Sequence, residues 1–327
     1  MTNKRERLQA AIEGEVADRP AVALWRHFPV DDQDPRALAE ATAAFQRDYD
    51  FDFIKVTPAS SFCVRDWGVE DEWRGSTEGT REYTRRVIYD PKDWRKLKVL
   101  DPMSGALKDQ LSCLELLRQE VGSEVPIIQT IFSPLAQAKN LAGQKLLFDH
   151  LHREPELVEE GLRVIAQSVL AFIDLARSSA IDGIFYAIQH ASYEFFDRQS
   201  YARFGGTYDR EILTITEDLW LNVLHLHGES IMFDLAKEFP VQVVNWHDRE
   251  TWPDLREGKI KTAAAVCGGI RRETMVVGEP QSIAREAKEA IASMDGGKGF
   301  ILGTGCVVPV IAPHGNIKAA REAIDFA

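Results

Sequence analysis

The chain has 327 residues, of which 45% are hydrophobic and 28% are charged, and its formal net charge is −12. Because no basic stripe offsets this charge, the composition argues against a nucleic-acid partner and against binding to an anionic membrane. No uninterrupted apolar run could span a bilayer, and the first residues lack the apolar core of a signal peptide. The four scattered cysteines are therefore expected to be free thiols or ligands in a cytoplasmic protein.

Short apolar runs alternate with amphipathic segments along the chain. The runs predict strands at 21–25, 52–56, 126–132, 183–189, 222–228, 241–247, 261–269 and 299–305. Their nearly continuous hydrophobicity is typical of strands that are buried on both faces of a parallel sheet. Helical spacing of apolar residues predicts helices at 34–49, 154–180, 279–294 and 316–327. Eight strand–helix pairs predict an α/β fold, the (β/α)8 TIM barrel.

One connection is far longer than the others. Some seventy residues separate the second and third predicted strands, well beyond an ordinary βα connection. Residues 71–90 alternate around glycine turns and predict a hairpin, and residues 101–121 predict the helix that follows. We expect a capping insertion over about 59–105 in a single barrel domain that spans 1–327.

Polar residues gather where the predicted strands end, which is where a barrel places its active site. Five of the eight histidines in the chain fall at this rim. The rim residues are Arg26, His27, Thr57, Ser133, Gln189, His190, His225, His227, His247, Asp248 and Cys306. Random placement would scatter the histidines over helices and loops, so this clustering predicts a functional site.

The sequence "NVLHLHG" places His225 and His227 two residues apart at the end of the fifth predicted strand. Residues at that spacing on a strand project from the same face. Neutral imidazoles bind Zn²⁺, and Cys306, just past the last strand, could add a thiolate to complete three protein ligands. A pair of hydrogen-bonded core histidines is the alternative interpretation of the same spacing.

Other rim residues are candidates for substrate binding and for proton transfer. Arg26 follows the first strand and could hold a carboxylate bidentately, or could pair with an acid of the rim. In "NWHD", His247 and Asp248 are candidates for a general acid or base, and a further metal ligand is the alternative. The remaining candidates for substrate binding are His27, Gln189 and His190.

Several stretches, in this order, resemble the uroporphyrinogen decarboxylase superfamily over nearly the whole chain. They are "RPAVALWRHF", "IFSPLAQAKNLAG", "RQSYARFGGTYDREIL", "VLHLHG" and "GFILGTGCVVP". The resemblance implies a (β/α)8 barrel, in agreement with the pattern of strands and helices. The superfamily includes the decarboxylases of haem synthesis and zinc-dependent methyltransferases that use methylcobalamin.

The chain departs from the decarboxylase branch of this superfamily at several positions. Arg26 matches the first of two arginines after the first strand, but Val30 stands where the second belongs. Thr57, Asn140 and Thr304 stand where that branch has an aspartate, a tyrosine and a histidine. These differences remove most of the groups that would bind and protonate a porphyrinogen.

The methyltransferase branch fits better. His225, Gly228 and Cys306 match its HxCG motif and its final cysteine, and His227 replaces the middle cysteine. Imidazole is also a good zinc ligand, so this change conserves a metal site. The resemblance therefore implies Zn²⁺ at His225, His227 and Cys306, and a methyltransferase-like enzyme whose methyl donor is methylcobalamin, another corrinoid or a corrinoid protein.

Two other functions remain as alternatives. The first is decarboxylation of a porphyrinogen or a smaller carboxylate, which would need no metal. The second is a protein without catalytic activity that binds a tetrapyrrole or a corrinoid. A homodimer is compatible with each of these functions.

Overall fold

The structure, a computed structural model, describes residues 2–179 and 181–326. Eight parallel strands form one curved sheet. From the second strand to the seventh, each strand pairs with the one that follows it in the chain, and the eighth strand pairs with the first. The backbone N–H of Asp52 donates to the Val22 carbonyl at 2.9 Å, which joins the first strand to the segment before the second. The predicted (β/α)8 barrel is confirmed.

The elements lie close to the predicted ones. In chain order, the barrel strands are Ala21–Val22, Ile54–Val56, Ile127–Phe132, Gly183–Ile188, Val223–Leu226, Val243–Trp246, Ala265–Ile270 and Phe300–Thr304. The α-helices are Lys4–Glu13, Pro35–Tyr49, Gly105–Val121, Pro134–Ala142, Gln144–Arg153, Pro155–Ser178, Arg198–Tyr201, Thr207–Ile215, Leu255–Lys261, Arg272–Val277, Pro280–Ser293 and His314–Glu322. Residues 180 and 327, at the ends of two predicted helices, lie outside the described residues.

Burial explains why the strands are so apolar in sequence. Every residue of the eight barrel strands is buried, because the helices cover the outer face and side chains fill the interior. The helices begin at the residues that favour helix starts. Asp34, for example, accepts a hydrogen bond from the Ala37 N–H, and Pro35 follows as the first helical residue.

The insertion after the second strand covers one side of the barrel mouth. Its antiparallel strands, Glu70–Glu72 and Glu82–Arg85, lie where the sequence predicts a hairpin. We call residues 70–85 the capping hairpin. Its tip is joined to the loop after the eighth strand, because the Val310 N–H donates to the Thr77 carbonyl at 2.7 Å. Gly79 has a φ of +77°, and a Cβ at this position would lie 2.4 Å from the Cβ of His27, so the tip packs closely on the first strand's end.

None of the helices in the described ranges is both long and apolar enough to cross a membrane.

At the barrel end opposite the capping hairpin, a fully buried carboxylate connects the N-terminal helix to the first two strands. Asp52 accepts hydrogen bonds from Arg7 Nη1 at 2.6 Å, from Arg19 Nη1 at 2.8 Å and from the Val22 N–H at 2.8 Å. Removing one partner of such a group leaves buried charges without compensation.

We therefore expect Asp52→Asn to lower the free energy of unfolding by about 3–5 kcal/mol, because Arg7 and Arg19 each lose a fully buried ion-pair partner. Chemical denaturation followed by circular dichroism measures this change. Asp50→Asn is the matched control, since the Asp50 side chain is 63% exposed and its ion pairs with Lys4 and Arg321 lie at the surface. The control should change stability by less than about 1 kcal/mol. Equal effects of the two substitutions would contradict the role given to Asp52.

Candidate metal centre

Four side chains converge at the carboxyl ends of the barrel strands. His225 and His227 lie at the end of the fifth strand, His247 follows the sixth, and Cys306 follows the eighth. One nitrogen or sulfur atom from each side chain lies within 4.8 Å of those of the other three. From His227 Nδ1, the distances are 3.4 Å to His225 Nε2, 3.2 Å to His247 Nε2 and 3.9 Å to Cys306 Sγ.

Strand register and one glycine bring these side chains together. His225 is the register partner of Asn245 on the sixth strand, so two residues further on His227 lies beside His247. Gly305 brings the eighth strand's end close to the sixth. A Cβ on Gly305 would lie 2.6 Å from the Trp246 carbonyl oxygen and 2.8 Å from the His247 Cα, and only glycine avoids this contact.

The far nitrogens of two imidazoles are held by hydrogen-bond acceptors. Asn245 Nδ2 donates to the carbonyls of Cys267 and Thr304 at 2.9 and 3.0 Å, so its Oδ1 is left to accept from His225 Nδ1–H at 2.6 Å. His247 Nδ1–H donates to Glu250 Oε2 at 2.8 Å. Both rings therefore direct Nε2 toward the cluster. Histidines that ligate metals in proteins usually donate their other N–H to such an acceptor.

The donor set fits Zn²⁺ in its chemistry and in its spacing. Nitrogen and sulfur atoms at ordinary zinc distances lie roughly 3.3–3.7 Å apart in a tetrahedron. The three separations from His227 Nδ1 lie near this range. His247, predicted either as an acid–base group or as a further ligand, thus lies with the three predicted ligands.

The charges within the cluster also favour a cation. Desolvation alone would raise the pKa of Cys306, but the imidazoles of His225, His227 and His247 bring it well below its ordinary value. Burial lowers the pKa of His225. Burial also opposes protonation of His247, yet hydrogen bonds to Cys306 and Glu250 raise its pKa to about 9. A metal cation would replace the His247 proton beside the thiolate.

The cluster forms part of the wall of a cavity of about 580 Å³ between the barrel mouth and the capping hairpin. The rest of the wall includes aromatic rings (Trp25, Phe132, Phe185), polar groups (His27, Thr57, Ser60, Thr130, Asn140, Gln189), cations (Lys55, Lys139, Arg272) and hairpin residues (Glu78, Thr80, Arg81, Tyr83). A cavity with aromatic walls and a few convergent polar groups is typical of a small-molecule site.

Two lysines in this wall have no carboxylate within 4.0 Å in the part of the chain that the structure describes. Lys55, on the second strand, is 7% exposed, and its Nζ lies 3.3 Å from Thr57 Oγ1 and 4.6 Å from the centre of the Phe185 ring. Burial lowers the pKa of Lys55 to about 7 and that of Lys139 to about 8. Burial without a counter-ion makes these lysines costly to protonate, and an anionic ligand beside them would stabilise their charged form. A lysine inside the apolar run "DFIKV" was the sequence signal for Lys55.

Two residues predicted to bind substrate do line the cavity, namely His27 and Gln189. No described residue donates to or accepts from His27 Nδ1, and the same holds for Trp25 Nε1 and Asn140 Oδ1, which lie in the same wall. Burial and nearby Lys55 lower the pKa of His27 to about 3, so its ring is neutral. The hydrogen-bonding capacity of these three atoms is not used by any described residue.

Three other predicted residues, Arg26, His190 and Asp248, do not line this cavity. The guanidinium of Arg26 packs over the Phe28 ring, 5.4 Å from its centre, and lies outside the cavity wall. His190 Nε2 lies 3.4 Å from Gln144 Oε1. Asp248 Oδ2 accepts from the Gly269 N–H at 3.0 Å, and burial raises the pKa of Asp248 to about 7. Substrate-binding roles for Arg26 and His190 and a catalytic role for Asp248 find no support in this arrangement.

The uroporphyrinogen decarboxylase (URO-D) family model matches residues 3–326, so the chain belongs to this family. A curated relative, the methylcobamide:CoM methyltransferase MtbA of Methanosarcina acetivorans, is 24% identical over 73% of this chain and 69% of the relative. The methylcobamide:CoM methyltransferase MtaA of Methanosarcina barkeri is 26% identical over 66% of this chain, a match that spans only 62% of the relative's length.

A solved structure of a methyltransferase from Methanosarcina mazei superposes on the whole chain with a TM-score of 0.86 at 21% identity, covering 99% of that protein. This likeness shows the fold. The curated relatives, both methylcobamide:CoM methyltransferases, support a methyltransferase-like enzyme. The family and the branch that the sequence motifs predict are therefore confirmed.

We expect protein purified without chelators or a metal-affinity tag to contain close to one zinc ion per chain, measured by elemental analysis. His227→Ala and Cys306→Ala should each lower that content sharply, because each removes a donor from the cluster. His152→Ala, an exposed histidine on a helix, is the control and should retain the wild-type metal content. Wild-type levels of metal in both cluster variants would contradict the assignment.

Proposed function

We propose that the protein catalyses the metal-dependent transfer of a methyl group from a methylated corrinoid to an acceptor thiol. The observation that carries this proposal is the convergence of His225, His227, His247 and Cys306 in the cavity wall, with two of the rings oriented by acceptors behind them. The names of the curated relatives support the choice of methyl donor, since both contain methylcobamide.

The three imidazole nitrogens and the thiolate of the cluster would hold a Zn²⁺ ion, and the acceptor thiol would add as a fifth ligand or displace one of them. Bound there, zinc would supply the positive charge that keeps the acceptor thiol deprotonated and nucleophilic at neutral pH. Asn245 and Glu250 keep the rings of His225 and His247 in the orientation that this role requires. The aromatic rings of Trp25 and Phe185 exclude water from the same side of the cavity.

The lysines of the cavity wall favour an acceptor that carries an anionic group. Lys55 and Lys139 would pair with an anionic group of the acceptor, because neither has a carboxylate partner among the described residues. His27, Trp25 and Asn140 offer the hydrogen-bonding atoms that have no described partner. We therefore propose a small thiol that carries a carboxylate, sulfonate or phosphate group as the acceptor.

The methyl donor is proposed to be a methylated corrinoid, either free or carried by a corrinoid protein. The barrel mouth and the capping hairpin would receive it, since the cluster faces the cavity between them. Decarboxylation of a porphyrinogen is the less favoured function, because Thr57 and Asn140, at two of the decarboxylase positions, line the cavity without a carboxyl or phenol group.

The direct test is an assay of methyl transfer from methylcobalamin to a panel of anionic and neutral thiols. The change in the visible spectrum of the corrinoid measures the transfer. We expect turnover that prefers anionic thiols, that disappears after metal removal with a chelator and that returns with added Zn²⁺. The proposal would be overturned if the metal-replete protein failed to demethylate methylcobalamin with every thiol of the panel.

Lys55→Met tests the cationic wall. We expect KM for an anionic thiol to rise by about 10- to 100-fold, since a charge-assisted contact to a buried group is lost. The free energy of unfolding should stay the same or rise, because an uncompensated buried cation has been removed. Lys145→Met, at an exposed position of the helix Gln144–Arg153, is the matched control. An unchanged KM in Lys55→Met would exclude this lysine from acceptor binding.

A further inference from the structure

The carboxylate behind His247 is shared with a neighbouring arginine. Glu250 Oε2 accepts from His247 Nδ1–H at 2.8 Å, and the same oxygen lies 3.9 Å from Arg272 Nη1. The Glu250 side chain is 34% exposed, so neither partner holds it in a fully enclosed pocket. If Arg272 moves closer to Glu250, its guanidinium therefore competes with the His247 imidazole for Oε2.

The closest partners of Arg272 are groups other than Glu250, and one of them belongs to the capping hairpin. Its Nη2 donates to Glu78 Oε2 near the hairpin tip, and its Nε donates to the Val307 carbonyl at 3.1 Å. The Arg272 side chain is only 16% exposed, so its guanidinium has little water to replace a lost partner. One cation thus lies between a carboxylate of the hairpin and the carboxylate that orients His247.

The hairpin tip is docked on the rim by contacts other than this ion pair. Thr77 accepts from the Val310 N–H, and Arg81 Nη1 donates to the Pro29 carbonyl at 2.9 Å. The position of Glu78 therefore depends on the docking of the tip. With the tip docked, Arg272 donates to Glu78 and stays 3.9 Å from Glu250, which accepts from His247.

We propose that Glu250 is a positioning residue for His247 and that the Glu78–Arg272 ion pair preserves this role when the capping hairpin is docked. Without Glu78, the guanidinium turns to Glu250, where it can bind bidentately and draw Oε2 away from the imidazole. Docking of the hairpin over the cavity and tight binding of metal by the cluster are coupled in this way. This inference rests on the proposed metal centre.

Binding of Co²⁺ to the full-length apoprotein tests the coupling, since Co²⁺ in a site with a thiolate has a visible spectrum and its affinity can be measured against a chelator. We expect Glu250→Gln to weaken Co²⁺ binding by about 10- to 100-fold and to alter the spectrum. Glu78→Gln should weaken binding by about three- to tenfold. Glu78→Gln combined with Arg272→Gln should restore the wild-type affinity, because the competing cation is gone.

Glu82→Gln is the matched control, because Glu82 is a hairpin carboxylate in an exposed ion pair with Arg74. It should bind Co²⁺ as the wild type does. Wild-type affinity in Glu250→Gln would overturn the positioning role, and a double variant as weak as Glu78→Gln would overturn the competition by Arg272. Wild-type protein that binds no Co²⁺ would instead overturn the proposed metal centre itself, and the inference with it. Thermal melting of each variant separates these outcomes from loss of the fold.

Discussion

The arrangement of the site depends on one buried amide. Asn245, on the sixth strand, donates to the carbonyls of Cys267 on the seventh strand and Thr304 on the eighth. These two bonds fix the orientation of the amide, so its oxygen faces the fifth strand and accepts from His225 Nδ1–H. Four consecutive strands are thus connected inside the barrel by one side chain that is fully buried. The tautomer of His225 and the position of Thr304, two residues before Cys306, both follow from it.

The fold could be predicted because strands buried on both faces are apolar throughout, and the eight predicted strands are all present. At the rim the sequence indicated the correct loops but could not say which side chains face inward. Three adjacent pairs show this difference: Arg26 and His27, Gln189 and His190, and His247 and Asp248. In each pair one member lines the cavity and its neighbour points away. All three pairs follow the ends of strands, and which member of each pair faces inward depends on contacts distant in sequence.

The cationic part of the cavity could be recognised only in three dimensions. Lys55 lies in a strand and Lys139 in a helix that follows the next strand, and their proximity to one cavity depends on closure of the barrel. The charge of the cavity wall also differs from the net charge of the whole chain. A protein with a net charge of −12 repels anions at long range, whereas its cavity attracts them at short range. Selection of the proposed anionic acceptor would therefore take place inside the cavity.

The two halves of the barrel contribute different chemistry to the same cavity. Every side chain of the metal cluster comes from the ends of the fifth, sixth and eighth strands, while the two lysines and the capping hairpin come from the first half of the chain. A loop of a (β/α)8 barrel can be exchanged without rebuilding the strands that carry the others. Under the proposed function, gene segments that encode the first half could diverge toward new acceptors while the second half keeps its reactive centre. This architecture would then separate the evolution of specificity from the evolution of reactivity.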